Sequence, residues 1–186
     1  MLLHIKNMVC NRCKMVVKAE LEKLGFNLVS VELGKVSLAE SLSSDDKLKI
    51  AEKINYFGFE LLEDRKTQVA EQVKTSIINL VHYTKEPLKM NLSSYLSENL
   101  SLEYAQISSV FSEVENQTIE KYFIAQKVEK AKEMLTYDEL TLSEIAYQLN
   151  YSSVAHLSAQ FKKVTGLTPS AYKRENLGKR KTLDEV

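Results

Sequence analysis

The chain is poor in glycine (five) and cysteine (two), carries no net charge, and contains no apolar run approaching a membrane span in 186 residues. Each scarcity excludes something. There is no Gly-rich phosphate-binding loop and no Ser/His/Asp grouping, so no enzyme constellation is visible. Both cysteines lie in one loop, which leaves a tetrahedral zinc site two ligands short. A spanning helix needs about 20 consecutive apolar residues. With none present, and no signal peptide ahead of the first polar residues, a cytoplasmic protein with no membrane partner is expected.

A net charge of zero says little about nucleic acid until it is divided along the chain. Residues 91–117 have no lysine or arginine against Glu98, Glu103, Glu113 and Glu115, a net of −4. Residues 141–181 carry Lys162, Lys163, Lys173, Arg174, Lys179, Arg180 and Lys181 against Glu144 and Glu175, a net of +5. A phosphate-attracting field therefore belongs to the second of these segments. With 44% apolar residues the chain can build real cores, in one large or two small domains.

The most informative stretch runs from Thr141 to Arg174. Thr141 and Glu144 are spaced as a capping box. Leu142, Ile145, Ala146 and Leu149 then recur as the stripe of a short amphipathic helix. Asn150 suits a left-handed stop and Ser152 a cap for the next helix, which carries Leu157, Phe161 and Val164 inward and ends at Gly166. Two short helices joined by a tight turn form a helix-turn-helix. The pattern occurs twice at an offset of fifty, pairing Leu92 with Leu142, Leu96 with Ala146, Ile107 with Leu157 and Ser108 with Ser158. Phe111 pairs with Phe161, Val114 with Val164, Thr118 with Thr168 and Tyr122 with Tyr172. Between the copies, Thr118 to Leu135 reads as one helix with Ile124, Val128, Ala131 and Leu135 on one face.

Two such units bridged by a long helix, closed by Phe161-Lys162-Lys163, Gly166 and Thr168-Pro169-Ser170, resemble the DNA-binding domain of the AraC family over roughly Lys66 to Arg174. The resemblance implies double-stranded DNA as partner. It makes Leu92 to Asn99 and Leu102 to Val114 the supporting and recognition helices of the first unit. By family position Tyr104, Ala105, Ser108 and Ser109 would face base edges, and in the second unit Val154, Ala155, Ser158 and Ala159, with His156 beside them. Ser109 and Ala159 stand where the family often carries arginine, so readout would rest on Ser and His hydrogen bonds or on thymine methyls. Lys162, Lys163, Lys173 and Arg174 suit phosphates. The acidic first unit reads more readily as a support that touches DNA weakly or binds another protein.

The N-terminal part reads as strand Leu2–Met8, helix Lys14–Leu24 with Val17, Leu21 and Leu24 inward, and two strands around Gly34 within 28–40. A helix Asp45–Tyr56 with Leu48, Ala51 and Ile54 inward and a strand Phe59–Leu62 follow. The order βαββαβ makes a ferredoxin-like sandwich, so the fold class expected is an α+β ferredoxin-like unit followed by an all-α double helix-turn-helix. The domains fall at 1–65, a connecting helix and loop 66–90, the double unit 91–175 and a polar tail 176–186. The connecting helix, Lys66 to Thr84, turns Val69, Val73, Ile77, Leu80 and Val81 inward and carries His82, read as a packed or surface residue.

Cys10 and Cys13 sit on the first strand-to-helix loop. As a soft thiolate pair they suit Cu(I), with a helix starting at Cys13, Arg12 and Lys14 lowering the thiol pKa. Behind the metal reading stand two others, a reversible disulfide and thiols on a domain kept for packing or dimerisation. With Met-x-Cys-x-x-Cys in this place, the unit looks like the heavy-metal-associated domain of copper chaperones and metal pumps, although Asn7-Met8-Val9-Cys10 replaces the usual Gly-Met-Thr-Cys. The resemblance implies Cu(I) or another soft metal ion. A third thiolate would come from a second chain, so a homodimer, metal-dependent, is among the expected partners. Met8 reads as core, and His4 lies too far along its strand to be a ligand. Together these readings make a metal-responsive, DNA-binding transcription regulator. The alternatives are a thiol-redox or metal-blind regulator whose first domain dimerises, and a metallochaperone-type carrier.

Overall fold

Alternation in Leu2-Leu3-His4-Ile5-Lys6 puts Leu3 and Ile5 on one face and fixes the first strand, β1 (Leu2–Lys6). In the computed structural model, which describes residues 1–84, 88–137 and 140–175, it is followed by α1 (Asn11–Lys23), β2 (Leu28–Glu32), β3 (Lys35–Leu38), α2 (Ser44–Asn55) and β4 (Glu60–Leu62). The strands form one antiparallel sheet in the order β2-β3-β1-β4. Leu3, Ile5, Val36 and Leu38 from the sheet meet Val17 and Leu21 of α1 and Ile50 and Ile54 of α2 in a single core.

Three expectations are corrected in this unit. The first strand ends at Lys6, not Met8, because Asn7 takes a left-handed conformation (φ 69°) that turns the chain and drops Met8, fully buried, into the core. The first helix begins at Asn11 with Cys10 as its N-cap, three residues before Lys14. Leu48, expected inward, is 62% exposed, while Ile50 is fully buried. Two residues turn a helix by about 200°, so α2 buries one of this pair and not the other.

Gly34 (φ 74°) makes the turn between β2 and β3, and a side chain there would meet Thr75 at 3.0 Å. Both the turn and the close approach require glycine. Helix α3 (Arg65–Ile78) follows, and the chain divides into two compact units at Thr75/Ser76. The helix does not run unbroken to Thr84. It widens into a π-helical turn over Asn79–Tyr83, closed by the Thr84 N–H donating to the Asn79 carbonyl at 3.0 Å.

The second unit consists of α4 (Leu92–Leu100), α5 (Tyr104–Glu115), α6 (Ile119–Tyr137), α7 (Leu142–Gln148), α8 (Val154–Thr165) and α9 (Pro169–Glu175). The fifty-residue repeat is physical. Leu96 and Ala146, Ile107 and Leu157, Phe111 and Phe161, Tyr122 and Tyr172 are all buried. Thr118 and Thr168 each accept a hydrogen bond from the backbone three residues on, both at 3.2 Å. Asn116 (φ 53°) and Gly166 (φ 82°) end the equivalent helices in left-handed conformations. One pair departs: Val164, expected inward, is 47% exposed. Leu167, brought back by the turn at Gly166, packs on the second core in its place.

Candidate nucleic-acid interface and thiol loop

In the second helix-turn-helix, the Glu144 carboxylate accepts from the Thr141 N–H and hydroxyl, both at 2.7 Å, and the Glu144 N–H returns to the Thr141 hydroxyl at 3.3 Å. These bonds hold the Glu144 carboxyl below its usual range. Asn150 (φ 53°) makes the turn, as its type suggests. Ser153, not Ser152, caps α8, its hydroxyl accepting from the His156 N–H at 3.1 Å. The cap must stand directly before the first helical residue to reach the third free N–H, and that residue is Val154. Ser152 lies 3.0 Å from His156 Nδ1 instead, and the His156 ring stands edge-on to Tyr151 at 5.2 Å.

On α8, Ala155, His156, Ala159, Lys162 and Lys163 are exposed, while Val154 and Ser158 are half-buried. On α5, Ala105 and Ser109 are exposed and Tyr104 and Ser108 half-buried. Burial, and then Glu120, raise the Tyr104 phenol above its ordinary pKa. Gln106 is exposed at the position equivalent to His156, and the fifty-residue offset alone identifies it. The same offset sets Lys162 against Ser112 and Lys163 against Glu113, so equivalent outer faces differ in charge. Lys173 and Arg174 are exposed on α9. The polar tail, with Lys179, Arg180 and Lys181, lies outside the described residues.

The thiol loop is pinned from below. Asn7 donates its side-chain amide to the Gly58 carbonyl at 3.0 Å and its N–H to Glu71 at 3.1 Å. Asparagine thereby fills a left-handed position that otherwise favours glycine. Cys10 and Cys13 are free, partly buried thiols with sulfurs 3.3 Å apart. The helix start does not act on both alike. Burial pushes Cys10 up, but the amide and thiol of Cys13, with the amide and guanidinium of Arg12, outweigh it and leave the thiol below its ordinary value. Cys13 is raised by burial and by Cys10, against the backbone amides of Val9 and Cys10. The free N–H groups of a helix starting at Asn11 converge on its N-cap, Cys10, while Cys13 already lies inside the first turn. Among the described residues no third His, Cys, Asp or Glu joins the pair.

Two helix-turn-helix units bridged by α6 make a double helix-turn-helix domain. Residues 96–175 match the family model described as a helix-turn-helix domain. The HTH-type transcriptional regulator YdeC of Bacillus subtilis, itself uncharacterized, is 22% identical over 121 residues, 64% of this chain and 40% of its own length. The xylose operon regulatory protein of Escherichia coli K12 is 24% identical over 117 residues, 62% of this chain and 30% of its own. The chain thus spans less than half the length of these curated relatives. The C-terminal domain of AraT, a response regulator from Geobacillus stearothermophilus, shares the fold with a TM-score of 0.51 and 24% identity, over 60% of this chain and 88% of that one. All three carry the names of regulators. Among the described residues no helix is long and apolar enough to cross a membrane.

Proposed function

We propose that the protein is a cytoplasmic transcription regulator that binds specific double-stranded DNA, chiefly through α8 and α9. Its first unit is then a ferredoxin-like, heavy-metal-associated module that responds to a soft ion. The observation that carries the DNA reading is the doubled core, repeated down to its left-handed helix ends and its Phe–Tyr pairs, with Lys162 and Lys163 standing where the first copy has Ser112 and Glu113. Lys162, Lys163, Lys173 and Arg174 would meet phosphates, and Ala155, His156 and Ala159 the groove. The sheet order β2-β3-β1-β4, all antiparallel, supports the ferredoxin-like assignment of the first unit.

Cys10 and Cys13 fit a soft ion: two sulfurs 3.3 Å apart, one already biased toward thiolate, with no Asp, Glu or His completing a third position among the described residues. Cu(I) bound there would leave room for a third thiolate from a second chain, making dimerisation metal-dependent. The opposite shifts of the two thiols favour a second reading, a regulator switched by a Cys10–Cys13 disulfide. In it Cys10 is the reactive thiolate and an external disulfide is the oxidant.

Affinity-selected DNA sequencing with apo, Cu(I)-loaded and oxidised full-length protein tests both. One enriched motif whose affinity changes on copper loading is expected. A motif that responds to oxidation alone supports the disulfide switch. Tight copper binding with no enriched DNA overturns the regulator in favour of a metal carrier.

A further inference from the structure

We propose that the second unit holds a binding site for a small apolar monocarboxylate in the cleft beside Lys127. The cleft, of about 180 Å³, opens between the π-helical turn, the start of α4, α6 and the end of α7, with Leu80, Phe123 and Leu149 among its walls. Lys127 lines it and is only 7% exposed. Its ammonium lies 3.7 Å from the centre of the Tyr151 ring and 5.2 Å from that of Phe123.

Other lysines on the same helix have carboxylates: Lys132 meets Glu129 at 2.6 Å and Lys130 meets Glu133 at 3.2 Å. Among the described residues no oxygen plays that part for Lys127. Two aromatic faces offset some of the cost of burying the charge, but a buried ammonium without an anion remains unfavourable. Burial alone pulls its pKa from 10.5 to about 8. The group that would complete the site is therefore an anion, and the apolar walls ask that it carry an apolar body. An apolar cavity of about 150 Å³ takes up benzene, so one aromatic ring with a single carboxylate is the right size. Leu149 and Asn150 belong to the turn between α7 and α8. An occupant would thus bear on the joint that sets α8, and the proposal stands whether or not the protein binds DNA.

The test is methyl NMR on the full-length protein, with phenylacetate as probe and phenylacetamide as its neutral counterpart. Phenylacetate is expected to shift the Leu80 and Leu149 methyls saturably. Phenylacetamide, and phenylacetate with Lys127→Met, are expected to bind at least about tenfold more weakly, while Lys127→Arg retains binding. Equal binding of acid and amide, undiminished binding by Lys127→Met, or no saturable shift up to the solubility limit would overturn it. If Lys127→Met does not fold, the acid–amide comparison on the unsubstituted protein decides.

Discussion

The ring of Phe161 meets the ring of Tyr172 edge-on at 5.5 Å, and fifty residues earlier Phe111 meets Tyr122 in the same manner at 5.8 Å. Both phenylalanines are fully buried and both tyrosines nearly so. Each pair ties the second helix of a helix-turn-helix to the helix that follows it, so the two copies are fastened by the same joint.

Truncating either phenylalanine should therefore cost the second unit about the same. Phe161→Ala and Phe111→Ala are each expected to lose about 3–5 kcal/mol, the usual range for a fully buried aromatic. Urea unfolding followed in the second unit measures this. A much smaller loss for Phe111→Ala would mean that the first copy is only loosely packed.

The two neighbouring serines before α8 separate by role. Ser153→Ala removes the cap and should cost about 1 kcal/mol, whereas Ser152→Ala should cost a few tenths at most. Urea midpoints of the two variants decide, and a larger loss at Ser152 would return the cap to the position that sequence alone suggested.

The thiols should differ in reactivity and in the sign of their pH dependence. The fold favours the Cys10 thiolate, so this contribution to stability is present above the ordinary thiol value of 9.0 and is lost as pH falls through the lower folded value. Cys13 has the opposite sign: its raised value means that the fold resists its ionisation, and stability falls as pH rises past 9.0. Iodoacetamide near neutral pH should label Cys10 first, and Cys13→Ala should move the Cys10 labelling midpoint upward. Faster labelling of Cys13 would reverse the assignment of the nucleophile.

Salt dependence reads the charge asymmetry directly. Four phosphate contacts from Lys162, Lys163, Lys173 and Arg174 give a slope of roughly −3.6 in log affinity against log salt, and replacing Lys162 and Lys163 by Ala should reduce it by about 2. Glu103→Lys should tighten binding to all sequences alike if α5 lies near the duplex. Full affinity and slope in the double lysine variant, with binding lost on changing Tyr104 or Ser108, would place the working helix in the first copy.

Local chemistry written in the chain determined a good deal by itself. The Thr141–Glu144 box, the left-handed Asn150, the stop at Gly166 and the repeat at fifty residues depend on neighbours within a turn or on a periodicity, and each stands where the sequence puts it. So does the order of strands and helices in the first unit. Only the tertiary structure decided what depends on distant partners. Leu48 and Val164 have the right spacing, but other side chains, Ile50 and Leu167, fill the space against the core. The helix start moved to Asn11 because Asn7, held by Gly58 and Glu71 from far along the chain, turns the backbone early. That shift gave Cys10 and Cys13 opposite environments. Lys127 is one more lysine in the sequence. It becomes a buried, unpaired charge only when α6 is packed against Tyr151, because burial is a property of the assembled core and not of the residue.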